Sequence, residues 1–237
     1  LTTPLGTAAD IVAYLRGDTS KEVSAGGVFR DRPLLTPPAP AGRKNVLGTI
    51  GNAAPIYTKD LDWGYDFLPA STASVSTGRE SYLAYLRANQ GNSTNPGRPG
   101  LVWTGSNGGM FHAFDAETGV EKFAYVPRSV IPNLAPLVDP EYTHRYLVDG
   151  PPAQGDAFIR TPTDTVTRWR TVVVSSLGAG GRAVFAIDAT DPNNLDASSV
   201  LWELDEQSLS SSDYEKLGHV LGPAIVARVK DNTHPSG

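Results

Sequence analysis

The chain has 237 residues, 40% hydrophobic and 19% charged, with a formal net charge of −5 and no cysteine. That supplies a packed core but no apolar run long enough to span a bilayer, and it excludes disulfides, thiolate metal sites and a cysteine nucleophile. The acidic balance argues against a nucleic-acid partner, which needs a basic surface.

Glycine (24) and proline (19) are abundant, favouring many short strands over long helices. In chain order, the first element is a short helix over Asp10–Arg16, where Ile11, Tyr14 and Leu15 recur at helical spacing and Gly17 stands at the C-cap. The proline-rich stretch 33–42 reads as a loop, and Val46–Tyr57, broken by Gly and Pro, as a bent strand. A second helix is expected over Arg79–Asn89, with Tyr82, Leu83, Tyr85 and Leu86 apolar, followed by a polar loop over Gly91–Gly100.

The second half has a repeating grammar. Leu101–Gly105 reads as a strand, Ser106–Gly109 as a tight turn, Met110–Phe114 as the returning strand, Asp115–Gly119 as a second turn and Val120–Val126 as a third strand. The order recurs from Val172, through a glycine-rich turn ending at Gly181, the strand Arg182–Ile187, the turn Asp188–Pro192 and the strand Val200–Leu204. The copies lie roughly 70 residues apart, longer than the ~40–50 residues of a usual propeller blade, so insertions between blades are required. Val220–Val229, with Gly222-Pro223, is read as the start of another blade. The fold class is therefore all-β, a partial β-propeller with quinoprotein-like blades of four-stranded antiparallel sheet, long loops and short helical insertions.

The run Val102–Gly119 (VWTGSNGGMFHAFDAETG) resembles the most recognisable stretch of the PilC/PilY family of type IV pilus tip and assembly proteins. Further phrases follow the family's order: Leu15–Asp18, Phe29–Arg32, Leu47-Gly48 leading to Pro55–Tyr57, Phe123–Pro127, Tyr142–Tyr146, Val148–Gly150, Trp169–Thr171, Gly178–Gly181, Ala186–Thr190 and Leu201–Glu203. The likeness runs from about Leu15 to Val229. It implies an exported protein at the cell surface, pilus tip or outer membrane, with minor pilins and the pilus tip complex as partners and a host or abiotic surface as a further contact. It also implies an N-terminal helix and connecting arm over 1–45, and over 46–237 the first blades of a propeller completed by strands outside this chain. The leading Leu1 and the end at Gly237 agree with a piece of something longer. The family's calcium-binding acidic loop belongs to a later region, so no cofactor is expected in this segment, although the resemblance allows calcium in the full-length protein. Thr49, Ala54 and Gly108 stand where the family commonly has Asp, Ser and Asp, which weakens any polar or metal site on those turns.

No catalytic residue is assigned, because no nucleophile elbow, Walker loop or paired metal-ligand histidine spacing occurs. Asp115 and Asp188 are read as Asx-type turn residues, and Asn107, Gly108, Gly109, Gly119, Gly180 and Gly181 as turn formers. The oxygen-rich set Asp188, Asp191, Asn193, Asn194 and Asp196 is a weak calcium candidate without the EF-hand pattern. His112, beside Phe111 and Phe114, is expected as a satisfied core imidazole, and His144 and Asp149 as members of a structural hydrogen-bond network. Arg16-Gly17-Asp18 spells the integrin-read tripeptide, but its place at a helix end points to capping and an ion pair. Trp63, Trp103, Trp169 and Trp202 are read as blade-packing residues, and the insertions 58–100 and 127–168 as the binding elements. The functional expectation is a non-enzymatic module for pilus assembly, adhesion and twitching motility. The alternatives are a quinoprotein-type propeller dehydrogenase, for which Ala113–Gly119 supplies a matching turn phrase, and a lectin-like propeller.

Overall fold

A computed structural model describes residues 4–37, 39–69, 78–161 and 164–228. Helix α1 spans Ala8–Leu15, starting two residues before the expected Asp10. The cause is a reciprocal cap: the Asp10 N–H donates to Thr7 Oγ1 (3.3 Å) and the Thr7 N–H to Asp10 Oδ2 (3.0 Å). Gly17 ends the helix at φ +101°, a conformation that favours glycine. Ile11 and Tyr14 pack with Phe29 and Val138, so the arm is anchored by its own small core.

Two four-stranded antiparallel meanders follow, each with strand order equal to chain order. The first holds β1 (Ile56–Thr58), β2 (Leu101–Ser106), β3 (Met110–Asp115) and β4 (Glu121–Tyr125). The second holds β5 (Ala153–Ile159), β6 (Arg168–Ser176), β7 (Val184–Asp188) and β8 (Val200–Leu204). Helix α2 (Arg79–Gln90) lies in the long β1–β2 connection, and α3 (Ser211–Leu217) follows β8. The ladder slips at the same place in both sheets, between Ala113 and Phe114 and between Ala186 and Ile187. Each slip stands just before the Asp-led turn, so Asp115 and Asp188 occupy matching positions.

The main core lies between the sheets. Trp103, Phe111 and Ala113 of the first sheet meet Val173, Phe185 and Ile187 of the second. Phe111 and Tyr125 both meet the Phe185 ring edge-on, at 5.2 and 5.3 Å between centroids. The opposite face of the second sheet carries Val172, Val174 and Ala186, packed with Ala224 and Val226. The two central strands, β6 and β7, thus bury both faces, which explains their near-continuous apolar runs.

Several expected elements differ. Only Ile56 and Tyr57 of the bent strand 46–57 join a ladder, because the preceding backbone is held by single bonds such as Asn107 N–H to Thr49 O (2.8 Å). Residues 220–228 form no strand: Val226 lies against Gly155, and Val220 O accepts from Ser176 Oγ (2.8 Å). Val229 lies outside the described residues. Parts of both insertions serve packing. Tyr82 and Leu86 of α2 pack on Trp169, Val130, Leu134 and Leu137 roof the inter-sheet core, and 153–159 is a strand. Trp103 and Trp169 are buried as read, whereas Trp63 (39% exposed) and Trp202 (42%) are not.

Candidate functional site: the seam between the two sheets

The buried run Leu147–Gly150 lies between the β2–β3 turn and the β6–β7 turn. The Leu147 N–H donates to Asn107 Oδ1 (2.9 Å), the Asp149 N–H to Leu177 O (3.2 Å) and the Gly150 N–H to Ser176 O (3.2 Å). Asp149 accepts from the Asn52 N–H (3.0 Å) and Asn52 Nδ2 (2.7 Å), tying in the arm before β1. Asn107 Nδ2 also reaches Thr49 Oγ1 (3.4 Å), which bonds His144 Nε2 (2.9 Å). His144 and Asp149 thus enter the network in two branches, through Thr49 and through Asn52.

The glycines are there because backbone approaches backbone. A Cβ at Gly180 would stand 2.1 Å from Leu147 O, one at Gly105 2.4 Å from Val148 O and one at Gly48 2.0 Å from Gly108 N. Gly109 (φ +89°) and Gly119 (φ +70°) supply the turn conformations their sequence places predict. Gly108 takes no positive φ, and its role is the approach to Gly48.

Side-chain bridges join the sheets at both ends. Gln154 of β5 donates to Tyr57 O of β1 (2.6 Å). At the opposite edges, Tyr125 Oη donates to Glu203 Oε2 (2.6 Å), and Arg128 grips Asp205 through Nε (2.8 Å) and Nη2 (2.6 Å). Burial pushes the Asp205 carboxyl up, but donation from Arg128 and Ser208 outweighs it and brings the pKa down to about 2. Asp156 of β5 is only 2% exposed and accepts from Thr171 Oγ1 (2.7 Å) and Tyr82 Oη (3.2 Å). Burial pushes its pKa up, as it does that of Tyr82. Sequence reasoning missed Asp156 and the Tyr82 hydroxyl. The available signal was an acid in the otherwise uncharged run 153–159.

His112 bonds Ser106 Oγ through Nε2 (3.0 Å) and Glu121 Oε1 through Nδ1 (2.6 Å), and its ring stacks on Phe114 at 5.6 Å. Burial pulls its pKa below 6.5 against the opposing pull of Glu121, so the imidazole is neutral at pH 7. Asp115 Oδ1 accepts from the N–H groups of Glu117 (3.1 Å) and Thr118 (2.9 Å), and Asp188 Oδ1 from that of Thr190 (3.0 Å). Both are Asx-type turns.

The oxygen-rich set does not converge. Asp188 also pairs with Arg170, Asp191 accepts from the Asn193 N–H (3.1 Å) and Asn194 Nδ2 (2.7 Å), and Asp196 accepts from the Ser198 N–H (2.8 Å). Each acid serves its own turn, and no three His, Asp or Glu gather among the described residues. At Arg16-Gly17-Asp18 the capping is present, with the Gly17 N–H on Tyr14 O (2.8 Å) and the Asp18 N–H on Ala13 O (3.0 Å). The expected ion pair is not: Asp18 Oδ1 accepts from the Ser20 N–H (2.8 Å).

The family model of the PilY1 beta-propeller domain matches residues 66–234. Two "Type IV pilus biogenesis factor PilY1 homolog" proteins of Xylella fastidiosa are 36% and 34% identical over 95% and 96% of this chain, and 16% and 14% of their own. The type IV pilus biogenesis factor PilY1 of Pseudomonas aeruginosa (strain UCBPP-PA14) is 37% identical over 69% of this chain and 14% of its own. The crystal structure of the P. aeruginosa PilY1 C-terminal domain aligns with 52% of this chain and 20% of that one, at 35% identity and a TM-score of 0.36. The chain spans 14–16% of the length of these curated relatives. With two blade-like sheets and a match across most of its length, this chain is a member of the PilY1 β-propeller family and forms part of such a propeller.

Proposed function

We propose that this chain is a non-enzymatic structural and interaction module of an exported, type IV pilus tip-associated protein, supporting pilus assembly, adhesion and twitching motility. One observation carries the reading: the most distinctive run, Val102–Gly119, is spent on architecture. Asn107, His112 and Asp115 each bond within the two-sheet body, and Trp103 and Phe111 fill its core. Relatives bearing the name type IV pilus biogenesis factor support the pilus context. Residues 1–45 serve as an arm braced against the first blades, and further blades outside this chain complete the ring. Minor pilins of the tip complex are the partners, the cell surface is the site of action, and calcium belongs to another part of the full-length protein. No helix among the described residues is long and apolar enough to cross a membrane.

The test is co-purification of the full-length protein with minor pilins, with and without this segment, alongside piliation and twitching assays. Loss of pilin capture together with loss of pili supports the tip scaffold. Unchanged capture and motility would overturn it.

A further inference from the structure

We infer that the cavity between the N-terminal arm and the first sheet is a binding site for an organic carboxylate with an apolar body. The cavity holds about 360 Å³ and is walled by α1, residues 30–33 and 45–49, the β2–β3 turn and residues 137–144. That volume lies within the range of small-molecule sites.

Of the two arginines that line the cavity, one is paired and the other is not. Glu22, fully buried, pairs with Arg32 (3.0 Å) and with Lys44, and Lys44 also pairs with Asp31 (3.1 Å). Those four groups neutralise one another. Arg30 is left over: it lines the cavity, its guanidinium lies 4.4 Å from the centre of the Tyr142 ring, and no carboxylate among the described residues pairs with it. None of the side chains lining the cavity is acidic.

An arginine that lines a cavity without a carboxylate partner is matched there by an anion that enters the cavity. A guanidinium matches a carboxylate through two parallel hydrogen bonds, and stacking on Tyr142 holds the planar fork before the ligand arrives. Leu15, Val46, Leu137 and Met110 supply an apolar wall in the same cavity, which suits a carboxylate attached to hydrocarbon better than a bare hydrated anion. The free acid end of a peptide and a small organic acid share this chemistry. The site does not depend on the pilus reading.

The test is calorimetric titration of the full-length protein with N-acetylphenylalanine, its amide, 3-phenylpropanoate and inorganic phosphate. Both acids are expected to bind saturably at concentrations up to about 10 mM, the amide about tenfold or more weaker. Arg30→Gln, which keeps a planar group over Tyr142, should weaken both acids about tenfold or more without lowering the melting temperature. Tighter binding of N-acetylphenylalanine assigns the site to a peptide end, and tighter or equal binding of 3-phenylpropanoate to a small acid. Equal binding of acid and amide, tighter binding of phosphate than of either acid, or no saturation would overturn the proposal. Undiminished binding to a folded Arg30→Gln protein would overturn it as well. The acid–amide comparison needs no variant, so it stands even if Arg30→Gln does not fold.

Discussion

Gly180 and Gly119 are both turn glycines, yet the structure asks different things of them. Gly119 needs φ +70° and faces open space, whereas Gly180 needs room, because its missing Cβ would collide with Leu147 O. Gly119→Ala should therefore cost about 1–2 kcal/mol through backbone strain. Gly180→Ala should cost more, about 3 kcal/mol or above, through displacement of the seam. Urea unfolding of the two variants separates them, and an equal loss would refute the distinction. His112 gives a pH test. Its folded pKa is depressed, so between that value and about 6.5 the unfolded state binds more protons and stability falls as pH falls. Replacing it in His112→Gln should flatten that slope, measured as unfolding free energy at pH 7 and at pH 5.5. At this scale the sequence was legible where the partner is near in the chain: Asp115 and Asp188 bond two or three residues onward. Asp149 and Asn52 are 97 positions apart, and nothing in either one's neighbourhood announces the other.

Elements were readable where local pattern and tertiary packing agree. Strands β2 and β3 alternate around a glycine turn, and Trp103 sits fully buried across from Ala113. Trp103→Ala should cost about 3–5 kcal/mol, read by thermal or chemical denaturation. Strand β5 was missed because Gly155 and Asp156 interrupt its apolar pattern. Gly155 makes way for Val226, and Asp156 is satisfied by α2 and β6. The reverse error occurred at 220–228, where an apolar run reads as a strand but covers a sheet face without joining it. The outer bridge between β4 and β8 depends on an ionised Asp205. Its pKa is lowered to about 2, so its contribution is present above about 3.8 and is lost as pH falls toward 2. Asp205→Asn should lower stability at neutral pH and make acid unfolding shallower over that window. An unchanged acid transition would show that the bridge carries little weight.

For the whole molecule, the recurring grammar revealed the two-sheet plan, because both copies place a glycine turn, an Asp-led turn and a ladder slip at matching positions. It did not reveal how the copies pack. That depends on which face of each strand meets the neighbour, and the central strands β6 and β7 hide this by burying both faces. The meander order also bears on mechanical load. The chain enters each sheet at one edge strand and leaves at the opposite edge, so tension on its ends peels strands away one hydrogen bond at a time instead of shearing a ladder at once. Resistance to pulling then comes from the cross-sheet ties, Gln154 to Tyr57, Tyr125 to Glu203 and Arg128 to Asp205, and from the aromatic core between them. A force-clamp recording should show stepwise lengthening sheet by sheet after those ties release, and a single all-at-once rupture would mean that the ladders themselves bear the load.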